Sequence, residues 1–174
     1  MDLQAVRELI RDVPDFPKPG IVFKDIAPLL QNGAAWRAVI ESMSATVASW
    51  QPDIVVGIES RGFLFAAPIA IQCGCGMGLI RKPGKLPQNV VRQEYALEYG
   101  TDAIEMHADA IQPGMRVAVL DDVLATGGTA AAAADLVAAT GGEVVGFAFM
   151  IELGFINGRA KLGDRAPISS TFTY

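Results

Sequence analysis

The sequence predicts an α/β fold, a mostly parallel central sheet with helices on both faces. Three observations predict it. Residues 53–58 (DIVVGI), 115–122 (MRVAVLDD) and 143–153 (EVVGFAFMIEL) are apolar and β-branched over most of their length, as strands buried on both faces are. Segments of helical character separate these runs, and strand–helix alternation favours parallel pairing through right-handed crossovers. The turns that follow two of the strands are short and contain glycine.

Taken in order, residues 3–13 place Leu3, Val6, Leu9, Ile10 and Val13 at helical spacing. PDFPKPG, residues 14–20, carries three prolines and a glycine and forbids regular structure. A second helix is expected over 34–50, with Trp36, Val39, Ile40, Met43, Val47 and Trp50 as its apolar stripe. The strand 53–58 turns at SRGF into a helix that opens with FLFAAPIAIQ. MGLIR, 77–81, is a short strand, and the basic, Pro/Gly-broken 81–89 (RKPGKLPQN) is a mobile loop. Rough alternation over 92–99 and 102–108, around Gly100-Thr101, suggests a hairpin. The strand 115–122 leads through LATGGT into an Ala-rich helix, 128–140, which Gly141 and Gly142 stop. After the strand 143–153, ISSTFTY closes the chain as an edge strand.

Composition narrows the function. The 174 residues suit one domain, with residues 1–33 as a small N-terminal hood and 34–174 as the core. Hydrophobic residues make up 51% and charged residues 19%, which argues against disorder. A net charge of −5 argues against a nucleic-acid partner at the level of the whole surface. There is no secretory leader pattern and no apolar run of membrane-spanning length, so a cytoplasmic protein without a membrane partner is expected. Cys73 and Cys75 lack a second ligand pair and read as inert thiols; His107 reads as structural.

In such a sheet ligands bind beyond the carboxyl ends of the strands, which singles out the loops 59–62, 81–89 and 122–129. The strongest signal is VAVLDDVLATGGT, 117–129. An apolar strand runs into Asp121-Asp122, and a small turn then enters a helix. Gly127 and Gly128 permit φ > 0 and close backbone approach, and the helix start offers free amides to an anion. Thr126 and Thr129 add hydroxyls. The pattern fits a monophosphate cradle beside two carboxylates; neither a Walker A ending nor GxGxxG is present. Its plain alternative is a capped βα turn. In Glu59-Ser60-Arg61-Gly62, an arginine at the positive end of a helix calls for an anion. Read alone, Arg81, Lys82 and Lys85 belong to a solvated turn.

These motifs resemble the type I phosphoribosyltransferases. FPKPGIVFKDI (16–26), SRGF, RKPGKLP and LEYG together resemble the adenine-using branch, over about residues 14–153. The resemblance implies transfer of 5-phosphoribosyl from phosphoribosyl pyrophosphate (PRPP) to adenine, giving AMP and pyrophosphate. It assigns the ribose hydroxyls to Asp121 and Asp122 and the 5′-phosphate to Ala125, Thr126, Gly127, Gly128 and Thr129. Pyrophosphate falls to Ser60 and Arg61, with Arg81, Lys82 and Lys85 from the loop. Adenine falls to Val22, Phe23 and Lys24, where some relatives have arginine in place of the lysine. Glu98 would handle the purine proton, with Tyr99 beside it in a flexible lid that keeps water from an oxocarbenium-like centre. By its pattern alone Glu98 is equally an exposed strand residue. Magnesium is expected to travel with PRPP, without an all-protein cage. A homodimer is also implied. The rival readings are the same chemistry on hypoxanthine, guanine or xanthine, and a PRPP-sensing regulator without catalysis.

Overall fold

A computed structural model describes residues 1–96 and 100–174. They form two compact units, Met1–Ser42 and Met43–Tyr174.

In the first unit, helix α1 spans only Leu3–Arg7. The expected helix over 3–13 is therefore cut short. Residues from Arg11 instead form strand β1, Arg11–Pro14, antiparallel to β2, Val22–Asp25. The prolines of 14–20 leave a helix nowhere to continue, and the hairpin carries two cross-strand pairs, Arg11 with Asp25 at 2.5 Å and Lys24 with Asp12 at 2.6 Å. Its connection turns through Asp15 and Gly20, both at positive φ, and the Asp15 carboxylate accepts the Gly20 amide at 2.7 Å. A short helix α2, Ala27–Gln31, follows, its first amide capped by Asp25 at 2.9 Å. Helix α3, Gly33–Ser49, whose residues from Met43 on belong to the second unit, starts where the Asn32 side chain accepts the Ala34 and Ala35 amides, and matches the expected 34–50.

The second unit contains β3 (Ile54–Ile58), α4 (Gly62–Cys73), β4 (Gly76–Ile80), β5 (Val90–Ala96), β6 (Thr101–His107), β7 (Arg116–Leu124), α5 (Gly128–Ala139), β8 (Glu143–Glu152), a 3-10 turn (Gly154–Ile156), α6 (Arg159–Leu162) and β9 (Ile168–Thr173). Five strands make one parallel sheet in the order β4-β3-β7-β8-β9, with β9 at an edge as expected. The hairpin β5–β6 is antiparallel and separate. Every residue of β3 is buried, so both faces of the sheet are covered. Ile54, Val56, Ile58, Val117, Val119, Phe147 and Phe149 pack with the alanines of α5 on one face. On the other, Gly57 faces Ala66 of α4, and Gly146 leaves room for the Trp50 ring. Parallel strands all point the same way, so the turns after β3, β4, β7 and β8 emerge at one end of the sheet. No helix among the described residues is long and apolar enough to cross a membrane.

Candidate functional site

Strand β7 runs two residues further than the sequence pattern suggested, to Leu124, so Asp121 and Asp122 lie inside the strand rather than at its end. Their carboxyl groups lie close enough to interact directly. Asp122 is 6% exposed, and Arg61 Nε lies 2.7 Å from its Oδ2 as a close ion pair. The Asp121 carboxylate accepts the Asp122 amide at 2.8 Å. Burial pushes the Asp121 carboxyl well above the usual carboxylate range, and the charge of Asp122 adds to the push. The start of α4 presses on this diacid. A Cβ on Gly62 would lie 2.9 Å from the Leu120 carbonyl oxygen and 3.0 Å from Asp121 Oδ1, so only glycine fits there.

Beyond the acids, Asp121, residues 123–130 and Phe149 line a small pocket at the amino end of α5. Gly127 stands at φ +77°, while Gly128 is the first helical residue and has no positive φ. One glycine, not two, uses the left-handed region. The space a Gly127 side chain would fill belongs to the protein: a Cβ there would fall onto the Gly158 carbonyl. The glycine is thus required by a backbone crossing as well as by the turn. Thr126 is exposed, and the Thr129 hydroxyl donates to Tyr95 Oη at 3.3 Å.

Ser60 and Arg61 form the turn between β3 and α4, and the Ser60 carbonyl accepts the Phe63 amide. The basic loop is held by carboxylates. Glu59 accepts the Lys82 amide at 2.8 Å and Lys85 Nζ at 2.5 Å, with Arg81 at 3.4 Å. Burial alone would raise the Glu59 pKa, but these donors outweigh it and bring it to about 2. Lys82 Nζ donates to Asp102 and, at 2.9 Å, to Tyr95 Oη. That bond holds Asp102 below its ordinary range. Glu105 joins by accepting a hydrogen bond from the Gly84 amide at 3.0 Å. Sequence reasoning missed Glu59, Tyr95, Asp102 and Glu105 as parts of this cluster. Only Glu59, adjacent to SRG, left a signal there.

In the first unit, Phe23 is half-buried and meets Phe16 edge-to-face at 5.2 Å, and Phe16 is the more exposed ring. Val13, Phe16, Phe23 and Asp25 line a shallow pocket beside the hairpin. Val22 is exposed, and Lys24 pairs with Asp12. Glu98 and Tyr99 lie outside the described residues. Cys73 and Cys75 are free thiols, and His107 Nε2 bonds the Pro87 carbonyl at 2.9 Å. Among the described residues no group of three or more His, Cys, Asp or Glu is arranged to hold a metal.

The fold, with two adjacent acids beside the pocket at the start of α5, defines a class, and comparison with known proteins agrees with it. The phosphoribosyl transferase domain model matches residues 25–172. An adenine phosphoribosyltransferase from Rhodospirillum centenum is 56% identical over 94% of this chain and 95% of its own. The structure of one from Thermoanaerobacter pseudethanolicus superposes with a TM-score of 0.96 at 46% identity, covering 99% and 100% of the two chains. That from Saccharomyces cerevisiae, complexed with an imino-altritol bisphosphate and adenine, gives 0.92 at 36% identity, with 97% of each chain covered. The chain belongs to the phosphoribosyltransferase family and, within it, to the adenine phosphoribosyltransferases.

Proposed function

We propose that the protein is a cytoplasmic homodimeric enzyme that transfers 5-phosphoribosyl from PRPP to adenine, releasing pyrophosphate and forming AMP. The observation that carries this reading is the Asp121-Asp122 pair beside the pocket at the start of α5. Free amides and the positive helix end favour a 5′-phosphate at Ala125–Thr129, and carboxylates suit ribose hydroxyls. Arg61, Arg81, Lys82 and Lys85, with Ser60, are the proposed pyrophosphate ligands, since forked or point cations neutralise the leaving group. Val22, Phe23 and Lys24 are the proposed adenine contacts, supported by the place of the Phe23 ring at a shallow pocket beside the hairpin. Glu98 is the proposed purine acid–base, with Tyr99 in the lid.

Magnesium fits as a companion of PRPP rather than as a resident ion. The described residues offer the two adjacent carboxylates, Asp121 and Asp122, but no three-ligand cluster. These would reach Mg2+ through its waters, and the ion supplies neutralisation of the pyrophosphate oxygens. The homodimer finds support in an exposed apolar stripe on α4, where Leu64 is 43% and Ile71 82% exposed, next to Leu79 of edge strand β4.

The test is nucleotide formation from PRPP with adenine, hypoxanthine and guanine. Adenine is expected to lead by about 10³ in kcat/KM, the scale reached when a mismatched base leaves buried polar groups unpaired. Equal rates with guanine would remove adenine specificity. PRPP binding without turnover on any base would favour the regulator.

A further inference from the structure

We propose that the turn after β8, centred on Gly158 and anchored by Arg159, is a positioning element for the Ala125–Thr129 phosphate cradle. The inference rests on the reading of residues 125–129 as that cradle. Two backbones cross here without side chains between them. A Cβ on Gly158 would overlap the Ala125 carbonyl oxygen and come within 3.1 Å of the Gly127 amide nitrogen. A Cβ on Gly127 would overlap the Gly158 carbonyl oxygen and lie 3.2 Å from Lys161 Cβ. Gly158 is itself buried, although the residues on either side of it are exposed. Each glycine therefore fixes where the other chain can run.

The crossing is anchored on both sides. Arg159 makes a bidentate pair with Glu152, both bonds at 2.6 Å, and a third bond at 3.1 Å to the Ile168 carbonyl. Glu152 ends β8 and is 6% exposed, so the anchor is fixed in the sheet. The Gly158 carbonyl accepts the Lys161 amide at 3.2 Å, which orients the oxygen that faces Gly127. Beyond the turn, Leu162 is fully buried in the cluster with the α5 alanines. Arg165 then bonds the Ala131 carbonyl at 3.2 Å and Asp135 at 2.7 Å. Sheet, turn and the first turns of α5 are thus tied together around the loop that the phosphate must meet. Preorganised amides bind an anion well only when their directions are held, and a displacement of about 1 Å is enough to cost up to about 100-fold.

The proposal separates the cradle from the pyrophosphate loop, and titration calorimetry can read them apart. In Gly158→Ala, affinity for ribose 5-phosphate is expected to fall about tenfold or more, while pyrophosphate affinity changes less than twofold. Arg159→Lys, which keeps the charge and loses the bidentate pair, covers the case in which the alanine variant does not fold. Its ribose 5-phosphate affinity is expected to fall about threefold or more, with pyrophosphate again unchanged. Unchanged ribose 5-phosphate affinity in a folded Gly158→Ala, or in Arg159→Lys if the alanine variant does not fold, overturns the positioning role. So does an equal loss for both ligands. The cradle reading has its own control in the wild-type protein: ribose 5-phosphate should shift the Gly127–Thr129 amide resonances. If it binds without moving them, the cradle assignment fails and takes the positioning role with it.

Discussion

Glu59→Gln replaces a carboxylate by an amide of the same shape at the point where the basic loop is fastened. The wild-type carboxyl has a pKa of about 2 against an ordinary 4.5, because Lys85, the Lys82 amide and Arg81 overcome the cost of burial. The gap corresponds to about 3.4 kcal/mol if none of it is screened. Lys85 is 49% exposed and Arg81 30%, so solvent screening brings the working value to about 1 kcal/mol at pH 7. For a chain of this length that is a drop of about 2–4 °C in melting temperature. The pH dependence carries the sign. A carboxylate whose folded pKa is depressed stabilises above its unfolded value, and the contribution is lost as pH falls through the folded one. The wild-type advantage over Glu59→Gln should therefore be full at pH 7, nearly full at pH 5, and less than half at pH 3. Differential scanning calorimetry of both proteins at these three values is the assay. Equal melting temperatures at pH 7, or a difference that does not shrink toward pH 3, would refute the claim that ion pairing at Glu59 fastens the loop.

Three further outcomes follow from the site. Gly62→Ala sets a methyl against the Leu120 carbonyl and Asp121, which as backbone and buried diacid cannot move away. It should cost about 1–3 kcal/mol by thermal melting and weaken Mg-PRPP binding, and a variant of wild-type stability would show that the turn has slack. Arg61→Lys should lose about tenfold in pyrophosphate affinity by calorimetry, with AMP affected less; the conservative change is needed because alanine would leave the buried Asp122 without its cation. Glu98→Gln should lower the single-turnover rate by about 10²–10⁴ with little change in substrate KM, whereas a loss under about threefold would move the proton to another group.

The parts of this protein that could be read from its sequence are those whose cause is local. The apolar runs of β3, β7 and β8 exceed what a solvent-facing strand would carry, so their burial was visible at once. The turn into α5 followed from the same logic, since TGGT after an apolar strand marks a turn and a helix start. The hairpin β1–β2 was invisible for a physical reason. Val22–Asp25 is half polar, and Leu9, Ile10 and Val13 fit a helix of period 3.6, while the pairing of Arg11 with Asp25 and Lys24 with Asp12 spans a Pro-rich turn that no local pattern reveals. Gly158 was hidden more deeply. It lies 31 residues from Gly127, and nothing around it marks the crossing that makes a glycine necessary. The acids of the basic loop were hidden likewise, because Asp102 and Glu105 reach it only through the folding of β6 beside β4.

In a chain of net charge −5, every cation proposed to bind pyrophosphate is accompanied by an acid. The cations assigned to that ligand are not a bare basic patch: Arg61 faces Asp122, Arg81 and Lys85 share Glu59, and Lys82 meets Asp102. In the loop, the side chains of Lys82 and Lys85 are 38% and 49% exposed. Pairs of that kind contribute about 0–1 kcal/mol each, so they hold the loop in order without holding it tightly. A pyrophosphate group offers the same cations several charge-assisted bonds at once, each worth more than a neutral one. On the proposed reading, binding is then an exchange of partners in which the ligand displaces side-chain carboxylates. Arg61 differs from the rest, since its partner is the buried Asp122 of the diacid. On the same reading, its exchange would reach directly into the proposed ribose site and couple the binding of pyrophosphate to that of the sugar.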